Sequence, residues 1–278
     1  MIEGAADEPT AADRWRDALT AWSLPERVLE AATESPFRHD VARFAVDDTI
    51  ERESTSARWA REVLPPRGGT VLDVGCGGGR SVAPLIPPAT EVIGVDRTGA
   101  MLDEFVDAAT RAGVARRTVH GDWPDVMATT PTADVAICHH VLFDVADVVP
   151  FLIALTARAR LAVVVELPVR HPMTAWSEAF EHFWELDRPD GPTHLDLVAV
   201  LRELGLDPEY TVSPRRPLSR FGADPDNLVP VARRRLALPA DRDGELAHWL
   251  AEHPPAFVAE VATIRWPGAA DPVGHPIA

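Results

Sequence analysis

The chain alternates between short apolar runs and longer segments whose apolar residues have helical spacing. Runs dominated by valine, isoleucine, leucine and alanine occur at 70–74, 91–96, 133–138 and 161–167, a composition typical of strands buried on both faces. Between them lie segments such as 100–112, whose apolar residues recur every three or four positions. Strands that alternate with helices in this way predict a doubly wound, mostly parallel α/β sheet.

The residues outside this core divide into an N-terminal and a C-terminal region. Before the first strand, the spacing of Trp15, Leu19 and Trp22 predicts an amphipathic helix, and further helices are expected at about 25–32 and 51–64. We therefore assign three parts: a tail and helical lid (1–66), the core (67–213), and a helical insertion with a last strand and a tail (214–278).

The first strand ends in a cluster of glycines. Residues 70–81 read TVLDVGCGGGRS, so a buried strand that carries Asp73 ends in four glycines within five residues. Such a break lets the backbone turn sharply and lie against a ligand. The next strand ends in a second acid, Asp96, and together the two features predict a site for a nucleoside-type cofactor.

Two common cofactor-binding loops do not fit this pattern. The dinucleotide fingerprint requires a third glycine where Arg80 stands, and the phosphate-binding loop requires a lysine, which the chain lacks altogether. The observed spacing is G-x-G-x-G, with Asp73 two residues before it. That pattern resembles motif I of the class I, Rossmann-like, S-adenosylmethionine-dependent methyltransferases.

The resemblance continues in register over about residues 68–213. It implies a seven-stranded sheet whose last strand enters antiparallel, as a hairpin with the sixth, and we interpret 257–266 as that strand. The helical insertion then lies between the last two strands. The further positions that match the family are Asp96, Met101, Asp122 with Trp123, and the pair His139–His140.

The resemblance implies S-adenosyl-L-methionine as the cofactor. It implies that Asp96 binds both ribose hydroxyls, that Asp122 accepts from the adenine amino group, and that Asp73 lies near the ammonium group. The cofactor carboxylate is expected at the N-terminus of a helix opening near Gly78, where backbone N–H groups are free. The residues assigned to the cofactor are Asp73, Gly75, Cys76, Gly77, Asp96, Arg97, Met101, Asp122, Trp123 and His139.

Plain structural alternatives exist for several of these residues. Asp73 and Asp96 also stand where acids cap helices. Met101 and Trp123 are expected either against the adenine or in ordinary core packing. Other tryptophans in the lid elements either line an apolar acceptor pocket or pack helices on the sheet; they are Trp15, Trp22, Trp59, Trp176 and Trp184.

The methyl acceptor is expected beyond the carboxyl ends of the fourth and fifth strands. We assign His139, His140 and Glu166 as catalytic candidates there, since an imidazole titrates near neutrality and suits a general base. Adjacent side chains point to opposite faces if the strand continues, so His139 is expected at the cofactor and His140 toward the substrate or lid, unless either is structural. Glu166 ends an apolar strand and needs a partner, either an amine substrate or an arginine.

Two more residues are candidates for the acceptor site. Asp144 follows the fourth strand, and His171 follows the fifth. We expect His171 either to line the acceptor pocket or to lie in a surface loop.

Composition excludes several classes of partner. The formal net charge of −16 and the pI of about 5.0 argue against nucleic acid or an anionic membrane, which need a basic surface. The basic clusters 215–220 and 233–235 are interpreted as solvated or paired surface. Cys76 and Cys138 have no metal-site spacing, and they fit a reducing cytoplasm better than a disulfide framework. No metal and no secretory signal are expected.

The sequence thus predicts an S-adenosylmethionine-dependent methyltransferase that acts on an oxygen or nitrogen of a small molecule, as a monomer or homodimer. One alternative is a non-catalytic scaffold or sensor that binds the same cofactor. A nicotinamide-dependent oxidoreductase is a weaker alternative because of Arg80. Methylation of protein or RNA is disfavoured by the acidic balance. The acceptor itself is not encoded in these motifs.

Overall fold

A computed structural model describes residues 8–37, 41–47, 50–214 and 225–269. The strands in these ranges are β1 (Thr70–Val74), β2 (Glu91–Asp96), β3 (Ala115–His120), β4 (Ala133–His139), β5 (Ala159–Pro168), β6 (Glu209–Pro214) and β7 (Glu260–Pro267). They form one sheet in the order β3-β2-β1-β4-β5-β7-β6. Strand β7 runs antiparallel to its two neighbours, β5 and β6, and the other pairs of neighbouring strands are parallel. The predicted fold class and its terminal hairpin are confirmed.

The α-helices of the described residues lie close to their predicted positions. They are α1 (Ala11–Thr20), α2 (Glu26–Ala31), α3 (Thr55–Val63), α4 (Gly99–Arg111), α5 (Val148–Arg158), α6 (Ser177–Trp184), α7 (His194–Glu203), α8 (Pro225–Arg235) and α9 (Asp243–Glu252). Helix α3 begins several residues later than its apolar spacing predicts. The reason is a cap: the Ser54 hydroxyl accepts a hydrogen bond from the Ala57 N–H.

Helices cover both faces of the sheet. On one face α1, α5 and α7 contribute Trp15, Phe151 and Leu201 to a core built on β1, β4, β5 and β7. On the other face α3 and α4 contribute Trp59 and Phe105 to a second core. Burial on both faces explains why the central strands read as continuous apolar runs.

The largest departure from the predicted fold follows β1. The sequence predicts a helix that opens near Gly78, but residues 75–90 form turns and one short 3-10 helix, Ala83–Leu85. The segment contains Pro84, Pro87 and Pro88, and proline supplies no N–H for a helical hydrogen bond and clashes with the preceding turn. The predicted helix is therefore wrong, and its N-terminus is not present to bind a cofactor carboxylate.

A third apolar cluster forms a helical cap beside the sheet. Helices α6, α8 and α9 pack together through Phe180, Leu236 and Leu246. Helix α6 follows β5, and the segment with α8 and α9 follows β6, which runs in the same direction as β5. Both segments therefore leave the sheet at its carboxyl edge, and the cap stands at the edge where the sequence places the acceptor.

The tryptophans of the predicted lid are packing residues. Trp15, Trp22, Trp59 and Trp176 are each less than one-tenth exposed, and Trp184 packs against the cap while its indole N–H donates to the Leu236 carbonyl. The helix-on-sheet interpretation describes Trp15 and Trp59, whereas Trp22 stacks on His171 and the other two lie in the cap.

Two surface features of the sequence bear on partners. Arg233 pairs with Asp243 and Glu34, as expected for paired surface, whereas the cluster at 215–220 lies outside the described residues. In the part of the chain that the structure describes, no helix has the length and apolar character needed to cross a membrane.

Candidate functional site

The glycine loop after β1 is tied to the end of β2. The Gly75 and Cys76 N–H groups donate to the Val95 carbonyl at 2.8 and 3.0 Å, and the Gly77 N–H donates to Asp96 Oδ2 at 3.0 Å. Gly75, Gly77 and Gly79 have φ values of +70°, +49° and +88°. These left-handed conformations explain why the loop uses glycine at alternate positions.

Asp96 holds this loop and the next helix together. Its Oδ2 accepts from Gly77, and its Oδ1 accepts from the Thr98 N–H at 2.8 Å, just before α4 begins. The structural function expected of a strand-end acid is therefore present. A carboxylate has about four acceptor sites, so both oxygens keep capacity for the hydroxyls of a ligand.

Asp73 is a buried acid with one unused oxygen. It is fully buried, its Oδ2 accepts from the Ser81 hydroxyl, and its Oδ1 has no hydrogen-bond partner among the described residues. Burial raises the pKa of Asp73 to about 7, against the lowering effect of Ser81. An orphaned carboxylate oxygen beside a glycine loop is suited to receive an ammonium group.

An N-terminal segment packs on the glycine loop. Residues 44–47, which we call the strap, are held by the Arg80 guanidinium, which donates to the Ala45 carbonyl at 2.9 Å and to Asp47 Oδ1 at 3.0 Å. Ala45 forms an antiparallel β-bridge with Gly79. The Phe44 carbonyl oxygen lies so close to Gly78 that a Cβ there would approach it to 2.4 Å. The residue that excluded a dinucleotide loop, Arg80, thus anchors this strap.

The residues assigned to the adenine end are only partly brought together. Exposed Arg97 and Asp122 face each other at 4.0 Å, and Met101 is buried in α4. Trp123 turns away: its indole N–H donates to the Phe151 carbonyl at 3.2 Å, and its ring packs edge-on against the Phe151 ring. The core-packing alternative describes Trp123 in this structure.

The two cysteines are buried packing residues. Burial raises the pKa of both thiols well above the ordinary value. Cys76 occupies the space that Gly94 leaves open, because a Cβ at Gly94 would come within 2.9 Å of its sulfur. Thiols in such surroundings are poor nucleophiles. Within the described ranges, no group of three potential ligands is arranged to hold a metal ion.

A second polar cluster lies at the ends of β4 and β5. His139 and Glu166 are paired in register across the two strands. Glu166 Oε1 lies 3.3 Å from His140 Nε2, and its Oε2 accepts from the Ser56 hydroxyl at 2.6 Å. Ser56 comes from α3 and is buried. Glu166 therefore has partners in the protein, and they are a histidine and a serine; the arginine that the sequence offers as one alternative is not among them.

The two histidines do not follow strand alternation. Strand β4 ends at His139, and His140 has a left-handed φ of +60° while its N–H donates to the Glu166 carbonyl at 2.7 Å. That turn brings the His140 ring back toward Glu166, and the two imidazole centroids are 6.4 Å apart. Strand alternation therefore does not apply to His140, because β4 ends at His139.

The charge states at this cluster follow from burial and hydrogen bonding. Burial lowers the pKa of His139 to about 4, so its ring is neutral near pH 7, and its buried Nε2 has no partner among the described residues. Burial also disfavours the charge of Glu166. The His140 hydrogen bond, the neighbouring imidazoles and the Ser56 hydroxyl outweigh that effect and hold the pKa of Glu166 well below its usual range.

Part of the chain matches a known protein family. Residues 71–161 match the family model described as a methyltransferase domain. That stretch contains the glycine loop, Asp96 and the His139–His140 pair. This segment is similar in sequence to a methyltransferase domain. A comparison with curated protein sequences gives no match.

Several solved structures share this methyltransferase fold at low sequence identity. A cyclopropane-fatty-acyl-phospholipid synthase-like protein from Lactobacillus casei is 16% identical with a TM-score of 0.54, and the match covers 91% of this chain and 99% of that one. An S-adenosylmethionine-dependent methyltransferase from Geobacter sulfurreducens, solved with S-adenosyl-L-homocysteine, is 16% identical (TM-score 0.53; 88% and 99%). Magnesium protoporphyrin IX methyltransferase from Synechocystis, also solved with S-adenosyl-L-homocysteine, is 15% identical (TM-score 0.51; 81% and 90%).

The two remaining acceptor candidates are Asp144 and His171. Asp144 is exposed on a short 3-10 turn. His171 is buried rather than on the surface, with its ring stacked on Trp22 at 4.3 Å and edge-on to Phe143 at 5.4 Å. Burial, and then the positive charge of Arg188, lower the pKa of His171 to about 3. His171 is therefore a packing residue.

Sequence reasoning missed three residues of the site. Ser81 lies within the glycine motif, and its spacing from Asp73 was a usable signal. In the sequence, Arg80 indicates only that the loop is not a dinucleotide-binding loop. Ser56 had no signal at all, because it lies 110 positions from Glu166 in a segment with no motif.

Proposed function

We propose that this protein is an S-adenosyl-L-methionine-dependent methyltransferase that acts on an oxygen or nitrogen atom of a small molecule. The observation that carries the proposal is the glycine loop with buried Asp73 and half-buried Asp96, inside a segment that matches a methyltransferase domain. The relatives solved with S-adenosyl-L-homocysteine, the demethylated form of that cofactor, support the same cofactor here.

The residues present fit most of this cofactor. The orphaned Oδ1 of Asp73 is suited to the ammonium group, and the two oxygens of Asp96 are suited to the ribose hydroxyls. Buried Met101 and the exposed pair Arg97–Asp122 supply apolar and polar surface for the base. No helix begins near Gly78 to bind the carboxylate of the cofactor. That carboxylate therefore needs hydrogen-bond donors other than those that the sequence predicts.

The cofactor supplies a methyl group on a sulfonium, which is electrophilic without further activation. The protein's contribution is to hold the acceptor in line with that group and to exclude water, which can supply about 7–11 kcal/mol of the barrier reduction. The helical cap at the carboxyl edge of the sheet is placed to perform this function.

We assign His140 as the general base that removes the proton from the acceptor. Its Nε2 is oriented by ionised Glu166, which leaves Nδ1 to accept a proton from a hydroxyl or an amine. Its side chain is 37% exposed, so a ligand can reach it. His139 stays neutral and polar beside it.

The acidic composition supports a small-molecule acceptor in preference to nucleic acid or an anionic membrane. The two unpaired, buried thiols favour work in a reducing cytoplasm. Action as a monomer or homodimer remains part of the proposal.

The direct test is calorimetric titration with S-adenosylmethionine and S-adenosylhomocysteine. We expect Asp96→Ala to weaken both by about tenfold or more, because ligand and loop lose a charged acceptor. The matched control is Asp103→Ala, an exposed acid on α4. Absence of binding by either compound to the unchanged protein would refute the proposal. Incubation with methyl-labelled cofactor and a metabolite extract then separates an enzyme from a scaffold, since only the enzyme labels a small molecule.

A further inference from the structure

The acceptor cluster is completed by a helix that the family match does not include. Helix α3 lies before residue 71, and its buried Trp59 and Ala60 pack it on the sheet. Arg265 of β7 lies over the Trp59 ring at 4.5 Å and pairs with Glu62 of the same helix at 3.1 Å. These contacts fix α3 above β5 and β7, with its first turn over Glu166.

The N-terminus of α3 aims Ser56 at Glu166. Ser54 caps the helix, and its hydroxyl lies 3.1 Å from the Ser56 hydroxyl. Ser56 in turn donates to Glu166 Oε2 at 2.6 Å, a length typical of a hydrogen bond to an ionised oxygen. Ser56 is 2% exposed, so water does not compete for this bond.

The bond divides the two oxygens of Glu166 between two partners. With Oε2 taken by Ser56, Oε1 is left for His140 Nε2. The side chains that face Glu166 from the packed elements are Ser56 of α3, Thr263 of β7, His139 of β4 and His140 after it. Only the two histidines among these are titratable.

We propose that Ser56 is a positioning residue of the acceptor site, which holds the Glu166 carboxylate ionised and turned so that it orients His140. This inference rests on the proposed function for its catalytic meaning. It places the N-terminal helix within the acceptor site, so the lid assigned from the sequence contributes directly to the reacting groups.

Thr263 provides a matched control. It pairs in register with Glu166, is fully buried, and its Oγ1 has no hydrogen-bond partner among the described residues. Thr263→Val therefore removes a buried hydroxyl next to Glu166 without removing a bond to it. Ser56→Thr is the conservative variant, because it keeps a hydroxyl at the same position.

The experiment is an NMR pH titration of carboxyl-labelled glutamate, with Glu166→Gln to assign the signal. We expect Ser56→Ala to raise the pKa of Glu166 by about 1–2 units, since a hydrogen bond to a charged group is lost, and Ser56→Thr to restore it. Thr263→Val should leave the titration as in the unchanged protein. If Ser56→Ala does not fold, Ser56→Cys, with a weaker donor, should show a smaller rise.

Two results would overturn the inference. One is a Glu166 titration that Ser56→Ala does not change, and the other is an equal change in Thr263→Val. Calorimetry with S-adenosylhomocysteine on the same variants should give unchanged affinity, because Ser56 is outside the cofactor loop. If the unchanged protein does not bind the cofactor, the proposed function fails. The titration of Glu166 tests the role of Ser56 separately.

Discussion

At the scale of single residues, the site depends on acids in two different environments. Asp73 is buried with one oxygen unpaired, and burial raises its pKa to about 7. Glu166 is nearly as buried, yet hydrogen bonds from Ser56 and His140 keep it ionised. We therefore expect Asp73 to gain a partner when a cation binds, whereas Glu166 already has its partners.

We expect Asp73 to make cofactor binding dependent on pH. Its ionised form attracts an ammonium group, so the affinity for S-adenosylhomocysteine should increase as pH rises through about 7, with proton release near that pH. Asp73→Asn should weaken binding by about 10–100-fold and remove this pH dependence. Calorimetry from pH 6 to 8 in buffers of different ionisation enthalpy measures both effects.

Ser81→Ala is the informative companion to this variant. The Ser81 hydroxyl lowers the pKa of Asp73, so its loss should move the rise in affinity to higher pH. Wild-type affinity and pH dependence in Asp73→Asn would show that Asp73 does not face the ammonium group.

At the residue scale, the sequence predicts which residues lie together when they are close in the chain. The spacing of Asp73, the glycines and Asp96 is short, and the structure places them together at one edge of the sheet. The orientation of His140 depends instead on a single left-handed residue, for which the sequence carries no signal. Ser56 was not foreseeable, because its contact depends on where a distant helix docks.

At the scale of elements, the strap and the glycine loop form one unit. The predicted helix after β1 is replaced by turns because three prolines fall between residues 84 and 88. The loop is instead stabilised from outside, by Arg80 and by the bridge between Ala45 and Gly79. Hydrophobic spacing predicted the strands well, but it did not indicate that an N-terminal segment supports this loop.

Gly78→Ala tests whether the strap matters to the cofactor. An added Cβ would lie 2.4 Å from the Phe44 carbonyl oxygen, a backbone atom, so the strap must move away. We expect faster hydrogen exchange in residues 41–47 and an S-adenosylhomocysteine dissociation rate about tenfold higher, because bonds worth about 1 kcal/mol each are lost. Mass-detected exchange and stopped-flow displacement measure these changes.

Gly99→Ala is the control, since a Cβ at that exposed position meets no atom within 4 Å. It should leave exchange and dissociation as they are in the unchanged protein. Equal behaviour of the two variants would mean that the strap is not coupled to cofactor retention.

At the scale of the whole molecule, one aromatic stack joins the core, the N-terminal helices and the cap. Arg188 lies between the rings of Trp22 and Phe180 at 5.0 Å from each, and His171 stacks on Trp22. Phe180 belongs to the cap, whereas Phe143, which meets the His171 edge, belongs to the main core. Protonation of His171 would place a second cation beside Arg188 at this junction.

His171 therefore links stability to acid. Its pKa falls from 6.5 in the unfolded chain to about 3 in the folded one, so the folded state excludes a proton that the unfolded state binds. The stability that this group contributes is complete above about pH 6.5 and is lost as pH falls toward 3. Relative to His171→Phe, which keeps a stacked ring, the protein should lose about 1.4 kcal/mol per pH unit between about pH 6 and 4. Urea unfolding at several pH values measures this difference. A pH-independent gap between the protein and His171→Phe would contradict the linkage.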